Sequence, residues 1–348
     1  MASPPAPRRQ LALKVAVALV ALALAGVGGF LASRGGSSQA APAPAPAPSR
    51  CPLTGQPAPP GGVPARPALG VKVDNLPAAR PQAGLDRADI VYEEPVEGGL
   101  TRFLAVFQCS DARVVEPVRS ARLVDPDLLS QFGRPLFAYS GGIAPVVDKV
   151  RSSPLFDVSF NRAPSAYSKD PRRAAPHNLA ASTAALWAAG ARQGAPAQAP
   201  APVFTYGSPS GGRPASQLRI AFPGASAVQW TWSPSSSAWL RSYYLGGGPA
   251  LLSDGSQVAA ANVVVEKVVL TPSPYVEDAT GAHENLVGLT GSGPLTVLSA
   301  GTAVEGTWSR PSLSDPTRLL GPGGTPIALS PGPTWVELVP SDVAVTSS

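Results

Sequence analysis

The strongest constraint on this chain is an uninterrupted run of apolar residues and glycine at 15–32. Together with residues 11–14 the run reaches the roughly 20 residues that a helix needs to cross a bilayer. Three basic residues, Arg8, Arg9 and Lys14, precede or begin it. The positive-inside bias therefore predicts a cytoplasmic basic tail at 1–10 and a body outside the cytoplasm after residue 33.

Residues 11–33 have two interpretations: a single-pass anchor in the cell membrane, or a signal segment cleaved after a small-residue site such as Ser38-Gln39-Ala40. A signal peptide usually has an apolar region of about 7–15 residues. The run at 15–32 is longer, which favours the anchor. In the alternative, the body is secreted after cleavage. A buried core helix is disfavoured, because basic residues flank one side of the run and Ala-Pro repeats the other.

Residues 34–50 are predicted to be a spacer. They contain the sequence APAPAPAP at 41–48, in which every second residue lacks a backbone N–H. Such a sequence favours an extended polyproline-type conformation of about 3 Å per residue. The spacer would hold the folded body away from the membrane or within a cell-wall layer.

The net charge of +5 belongs to this N-terminal segment. Residues 1–50 contain five basic and no acidic side chains, which leaves 22 of each sign in residues 51–348. Contacts to phosphate supply most non-specific affinity for nucleic acids. A body with no excess positive charge is therefore not expected to bind nucleic acid.

The chain has two cysteines, Cys51 and Cys109. Outside the cytoplasm a disulfide is permitted, and these two form the only possible intramolecular pair. The alternative is two unpaired thiols. A zinc site would need more Cys and His ligands than the surrounding sequence contains, and we expect no metal site and no cofactor.

The rest of the chain predicts an α+β protein: a mixed α/β domain at 51–192, a linker at 193–212 and a β-rich domain at 213–345. In the first domain, strands are predicted at 69–74, 89–92, 101–109 and 136–139, and helices at 123–132, 144–151 and 179–190, the last with Asn178 as its N-cap. In the second, strands are predicted at 217–222, 228–232, 239–245, 262–270, 295–298, 302–308 and 335–339. The four tryptophans between Trp230 and Trp308 are expected to pack in the core. The alternative for one of them is a platform on which a sugar ring stacks.

Polar residues are concentrated in turns of the first domain. The candidates for ligand binding are Asp74, Asn75, Arg102, Arg119, Ser120, Arg122, His177 and Asn178. Arginine matches carboxylate and phosphate groups with paired hydrogen bonds, and residues 119–122 open a predicted helix. This pattern indicates an anionic ligand. The alternative is that the arginines pair internally with Glu93, Glu94 and Glu97.

Catalytic residues cannot be assigned from the sequence, and the candidates are Glu97, His177 and Asp74. His177 is suited to general base chemistry, although a lone histidine at a helix start is more often structural. A Ser120–His177 nucleophilic pair lacks a GxSxG elbow. Glu93 and Glu97 would serve glycoside hydrolysis only if about 5–9.5 Å apart across a cleft.

Residues 51–190 resemble the YerB-like bacterial envelope proteins, a family of unknown function. The motifs that carry the resemblance are PLTG (52–55), ARPQAGLDRADIVYE (79–93), EGGLTRFLAVF (97–107), PVRSAR (117–122) and PHN (176–178). The second half is similar through ANVVVEKV (261–268), GTWSR (306–310) and GPTWVELVP (332–340). The resemblance implies an α/β domain followed by a β-rich domain, displayed outside the membrane. Members are usually lipoproteins, whereas this chain lacks a lipid-attachment motif before Cys51.

Three hypotheses follow. The first is a non-enzymatic, membrane-tethered protein that binds an anionic cell-wall component or assists a wall-synthesis partner. The second is an extracytoplasmic hydrolase of cell-wall material that uses Glu97, His177 and Asp74. The third is a purely structural partner-binding protein, favoured if the motif residues form no site.

Overall fold

A computed structural model of the chain describes residues 49–277 and 280–348. The predicted cytoplasmic tail, the segment at 11–33 and nearly all of the spacer lie outside these residues. Within the described part, no helix is both long enough and apolar enough to cross a membrane.

The first half of the described chain mixes strands and short helices. Its strands are β1 (Leu69–Asp74), β2 (Ile90–Pro95), β3 (Thr101–Phe107), β4 (Leu136–Ala138), β5 (Phe156–Asp157), β6 (Tyr167–Lys169) and β7 (Leu179–Ala181). Its helices are α1 (Val124–Leu129), α2 (Ala144–Ser152) and α3 (Thr183–Arg192).

The second half is built from strands and short turns. They are β8 (Arg213–Pro214), β9 (Gln217–Ile220), β10 (Val228–Ser233), β11 (Ala238–Tyr243), β12 (Gly248–Pro249), β13 (Ala259–Ala260), β14 (Asn262–Val268), β15 (Leu270–Val276), β16 (His283–Val287), β17 (Gly291–Ser299), β18 (Thr302–Arg310), β19 (Arg318–Leu320), β20 (Thr334–Pro340) and β21 (Val345–Ser347). The mixed, strand-rich fold class is confirmed.

One large sheet contains strands from both halves. Its order is β19-β18-β17-β14-β20-β2-β3-β1-β4-β5, with β8 also paired to β18. The halves meet where β2 and β20 run parallel, with Ile90 opposite Thr334 and Glu93 opposite Glu337. Both strands are buried almost along their full length, as expected of central parallel strands covered on both faces. The linker boundary at 193–212 stays a prediction.

A second sheet, β12-β11-β10-β9-β21 with β13 beside β11, contributes to the core on one face of the large sheet. Its strands alternate buried and less buried residues, so Trp230 and Trp239 are fully buried. The Trp230 ring lies 5.4 Å from that of Trp335 in β20. Helices α1 and α2 cover the opposite face of the large sheet. The predicted core role of these tryptophans is confirmed.

The helix predicted at 179–190 is wrong in its first turn. Residues 179–181 form β7, which pairs with β6, and Ala181 also bridges to Val115. These backbone pairings outweigh the helical preference of Leu and Ala, so α3 begins at Thr183 and Asn178 is not its N-cap. Residues 119–122 do not open a long helix either, because α1 begins at Val124 and has six residues.

The disulfide between Cys51 and Cys109 is confirmed, with Cα atoms 5.9 Å apart. Cys109 lies two residues beyond the end of β3, so the bond fastens the start of the described chain to that edge of the large sheet. Because β3 is antiparallel to β1, this is the edge at which β1 begins. The opposite edge holds the polar motif residues.

Candidate functional site

The candidate site lies at the edge where β1 and β2 end and β3 begins. Asp74, the last residue of β1, is opposite Arg102 in β3, and Arg102 is also opposite Glu94 in β2. Glu97 lies in the turn from β2 to β3, where Gly98 and Gly99 have φ of +67° and +72°. A side chain is strained in that left-handed region, so the two glycines permit this tight turn.

Two further segments bring their polar residues to this edge. Residues 117–120 cross the end of β1, since Asp74 donates its N–H to the Pro117 carbonyl and Arg119 donates its N–H to the Lys72 carbonyl. The turn between β6 and β7 carries His177 and is closed by the Asp170 N–H bond to the Asn178 carbonyl, 2.8 Å. Backbone pairing therefore places Arg119 and His177 beside Asp74.

The fully buried Asp74 carboxylate is the centre of the first polar group. Its Oδ2 accepts from Arg119 Nε at 3.0 Å and lies 2.9 Å from His177 Nδ1. Burial opposes ionisation, but the Leu76 N–H bond and the charges of Arg102 and Arg119 lower the pKa of Asp74. An ionised Asp74 is an acceptor only, so His177 Nδ1 carries a proton in this contact, and in the neutral imidazole Nε2 is then the acceptor.

The second polar group is centred on the buried Arg122. Its Nε donates to Glu97 Oε2 at 2.8 Å, and its Nη2 contacts the other Glu97 oxygen. Glu277 and Glu284, from the β15–β16 hairpin, lie 2.9 and 3.6 Å from the same guanidinium.

The carboxylates around Arg122 differ in their ionisation. Burial alone would raise the pKa of Glu97, but the hydrogen bonds and charge of Arg122 lower it. Burial raises the pKa of Glu284 to about 7, and the neighbouring Glu277 and Glu97 add to the rise against the opposing charge of Arg122. Glu97 is therefore held as a carboxylate, whereas Glu284 titrates near neutral pH.

Arg102 connects the two groups. Its Nη1 donates to the Ser120 carbonyl at 3.1 Å, and its Nη2 lies 3.9 Å from Glu97 Oε1. Burial and the charge of Arg122 lower the pKa of Arg102 to about 10. The predicted residues Asp74, Glu97, Arg102, Arg119, Arg122 and His177 thus form one connected network.

Solvent reaches this network on the side of Asp74. The side chains of Arg119 and His177 are 23% and 15% exposed, against 3% for Arg122. Arg119 Nη1 and Nη2, the Ser120 hydroxyl and the Asn178 amide make no hydrogen bond to any described residue. The hydrogen-bonding groups that could contact a ligand therefore lie mainly beside Asp74.

Asn75 does not face this open side. Its amide donates to Glu93 and Thr101, and its carbonyl oxygen accepts from the Tyr243 hydroxyl at 3.0 Å. It is buried beneath the edge and links β1 to the second sheet.

Of Glu93, Glu94 and Glu97, the three glutamates considered as internal partners of the motif arginines, only Glu97 forms ion pairs with them. Glu93 binds Arg241 in β11 at 2.7 Å, and Glu94 contacts Lys72. Glu93 is fully buried and fixed by this ion pair, which argues against a role for it beside Glu97 in glycoside hydrolysis. His283, the other histidine of the chain, is the first residue of β16.

Several residues of the network come from the second half and were not predicted from the sequence. They are Arg241, Tyr243, Glu277, Glu284 and Glu337. A signal existed for Arg241, because it alternates with Trp239 and Tyr243 and so shares their inward face.

A cleft of about 640 Å³ opens beside Glu97. It is lined by residues 95–100, 222–223, 269–270, 272, 282–283, 285 and 340–343. Both halves of the chain therefore contribute to the surface next to the network.

Comparison with known proteins agrees with this architecture. The family model described as "Protein of unknown function (DUF3048) N-terminal domain" matches residues 53–196. The model of the corresponding C-terminal domain matches residues 218–336. "Putative lipoprotein YerB" of Bacillus subtilis (strain 168) is 51% identical over 73 residues, which are 21% of this chain and 22% of that protein. The matched segment thus spans about a fifth of that relative. The crystal structure of YerB from Bacillus subtilis aligns with a TM-score of 0.73 and 24% identity over 85% of this chain and 99% of that one, which shows a shared fold.

Proposed function

Since the chain belongs to the family with DUF3048 N- and C-terminal domains, we propose its role from the residues at the sheet edge. The protein is an extracytoplasmic envelope protein, tethered to the cell membrane through residues 11–33, that binds an anionic component of the cell wall. The binding residues are Arg119, Ser120 and His177, with Asn178 beside them. The observation that carries the proposal is the partly exposed Arg119–Asp74–His177 group with its unused donors.

The disulfide and the candidate site lie at opposite edges of the large sheet. The chain enters the folded body at Cys51, whose partner Cys109 lies beyond the far end of β3. Asp74 and Arg102 lie at the opposite edge. The two edges are separated by the length of β1, which is six residues or about 20 Å. Within the folded body, the candidate site therefore lies at the opposite edge of the sheet from the point where the chain enters it. The similar protein from Bacillus subtilis is named a lipoprotein, which is consistent with attachment at the membrane surface.

Removing the Arg119 guanidinium is expected to weaken binding of wall fragments about tenfold or more, because a charge-assisted hydrogen bond contributes roughly 1.5–3 kcal/mol. The measurement is isothermal titration of the full chain in detergent with soluble wall fragments, comparing the wild type with Arg119→Ala. Arg151→Ala is the matched control, since its side chain is 66% exposed and pairs only with the exposed Asp148 in the described chain. Equal affinities in all three proteins would reject the proposal.

Hydrolysis is the second candidate function, favoured by one observation. Asp74 fixes His177 Nδ1, which is how a carboxylate orients a general base. Glu97 is not suited to act as a general acid, because Arg122 lowers its pKa. If His177 is the base, His177→Gln is expected to lower turnover of wall polymer at least 100-fold. Product release measured by chromatography checks this, and turnover unaffected by the substitution would exclude the hydrolase.

A further inference from the structure

The groups left without partners around Asp74 specify the chemistry of a ligand. Arg119 uses Nε for Asp74, so Nη1 and Nη2 remain as a pair of parallel donors. His177 uses its protonated Nδ1 for the same oxygen, so in the neutral imidazole Nε2 remains as an acceptor. Both side chains contact Asp74 Oδ2, so Arg119 and His177 lie side by side at this edge. A matching ligand presents an anionic oxygen pair and, next to it, a hydrogen-bond donor.

The charge of the group limits the ligand further. Arg119 is the only arginine of the network whose side chain is more than a tenth exposed, and Asp74 already offsets its charge. A ligand with a single negative charge fits this balance better than a phosphate dianion. A phosphodiester has one charge but carries no donor on its phosphorus, so it leaves Nε2 of His177 unpaired. An unpaired buried polar group costs about 1–3 kcal/mol.

We propose that Arg119 and His177 bind the free carboxyl end of a peptide, with the carboxylate on the Arg119 guanidinium and the terminal amide N–H on His177 Nε2. In such an end the carboxylate and the N–H are attached to the same carbon atom, which matches neighbouring partners. Planar carboxylates suit paired arginine donors. The inference rests on the proposed function, and it narrows the anionic wall component to a peptide terminus.

The two histidines provide a specific probe, since His177 and His283 are the only ones in the chain. His283 lies in β16 and its Nδ1 contacts the Ser273 carbonyl at 2.8 Å, so it serves as an internal reference. The full chain, with ¹⁵N-labelled histidine and in detergent micelles, is titrated with three compounds and followed by the side-chain ¹⁵N signals. The compounds are N-acetylalanine, its uncharged amide, and dimethyl phosphate as a monoanion without a donor.

N-acetylalanine is expected to shift the Nε2 signal of His177 and leave that of His283 unchanged. The amide and dimethyl phosphate are expected to bind at least about tenfold more weakly. Arg119→Gln should abolish the N-acetylalanine response, whereas Arg151→Gln should preserve it.

Two results would overturn the inference and leave the proposed function standing. One is dimethyl phosphate binding as tightly as N-acetylalanine. The other is no response of His177 to any of the three compounds while wall fragments still bind in an Arg119-dependent way. If the wall fragments do not bind either, the proposed function itself fails.

Discussion

Replacing Arg122 with methionine is expected to lower the free energy of unfolding by about 3–5 kcal/mol, the cost of removing one partner from a buried ion pair. The Arg122 side chain is 3% exposed, and the Glu97, Glu277 and Glu284 side chains around it are 10%, 10% and 1% exposed. Methionine preserves most of the apolar volume but removes the guanidinium that these three carboxylates share. They would then repel one another in a poorly solvated site or take up protons.

Urea unfolding at pH 7, followed by tryptophan fluorescence, measures the effect. Arg151→Met is the matched control and should change stability by less than about 0.5 kcal/mol, since its ion pair is exposed. Glu284→Gln is a second variant, which tests whether the loss of stability comes from the charges around Arg122. Its pKa of about 7 means that the carboxyl is part-neutral already, so the amide should cost much less than Arg122→Met. An Arg122→Met protein as stable as the Arg151→Met control would show that this cluster contributes little to the fold.

The sequence predicts the edge of the sheet better than it predicts the contacts beneath that edge. Apolar strands at 69–74 and 101–107, each adjoining polar turn residues, place Asp74 and Arg102 near each other once the strands pair. The chain has two cysteines, so an intramolecular disulfide has one possible pairing. These features depend on local pattern and on few alternatives.

The partners of the charged residues depend on pairing over long sequence distances. Glu93, Glu94 and Glu97 lie within five positions, yet they bind Arg241, Lys72 and Arg122 respectively. Alternation along β2 turns Glu93 and Glu94 to opposite faces, and the parallel register of β2 with β20 decides what each face meets. The register depends on the pairing of the whole sheet. The sequence alone therefore does not determine which cation each glutamate contacts.

The parallel register also places two buried carboxyl groups next to each other. Glu93 and Glu337 are opposite each other and both are fully buried, while Arg241 donates to Glu93 and the Trp230 indole donates to Glu337 at 2.8 Å. Burial, followed by the adjacent charge of Glu93, raises the pKa of Glu337 well above its ordinary value. Arg241 therefore neutralises Glu93, and Glu337 is held in its protonated form.

Arg241→Met is expected to lower the free energy of unfolding by about 3–5 kcal/mol at neutral pH. The substitution leaves two adjacent buried carboxyl groups with no cation on β11, and it removes the guanidinium stacked 4.7 Å from the Tyr243 ring. Glu337→Gln should be tolerated far better, because an amide replaces a carboxyl that is already uncharged. Urea unfolding of both variants beside the wild type measures the difference.

The pH dependence of stability distinguishes this arrangement from ordinary packing. A carboxyl group whose pKa is raised by folding contributes its full stability below its unfolded pKa, and that contribution is lost as the pH rises through the folded pKa. The wild type should therefore lose stability relative to Glu337→Gln as the pH rises above the ordinary glutamate value of 4.5. Measuring the difference between the two proteins removes the parallel contributions of Asp89, Glu266 and Glu284, whose pKa values are also raised. A difference that stays constant from pH 4 to pH 9 would mean that Glu337 does not hold its proton in the folded protein, and the loss in Arg241→Met would then have to come from packing.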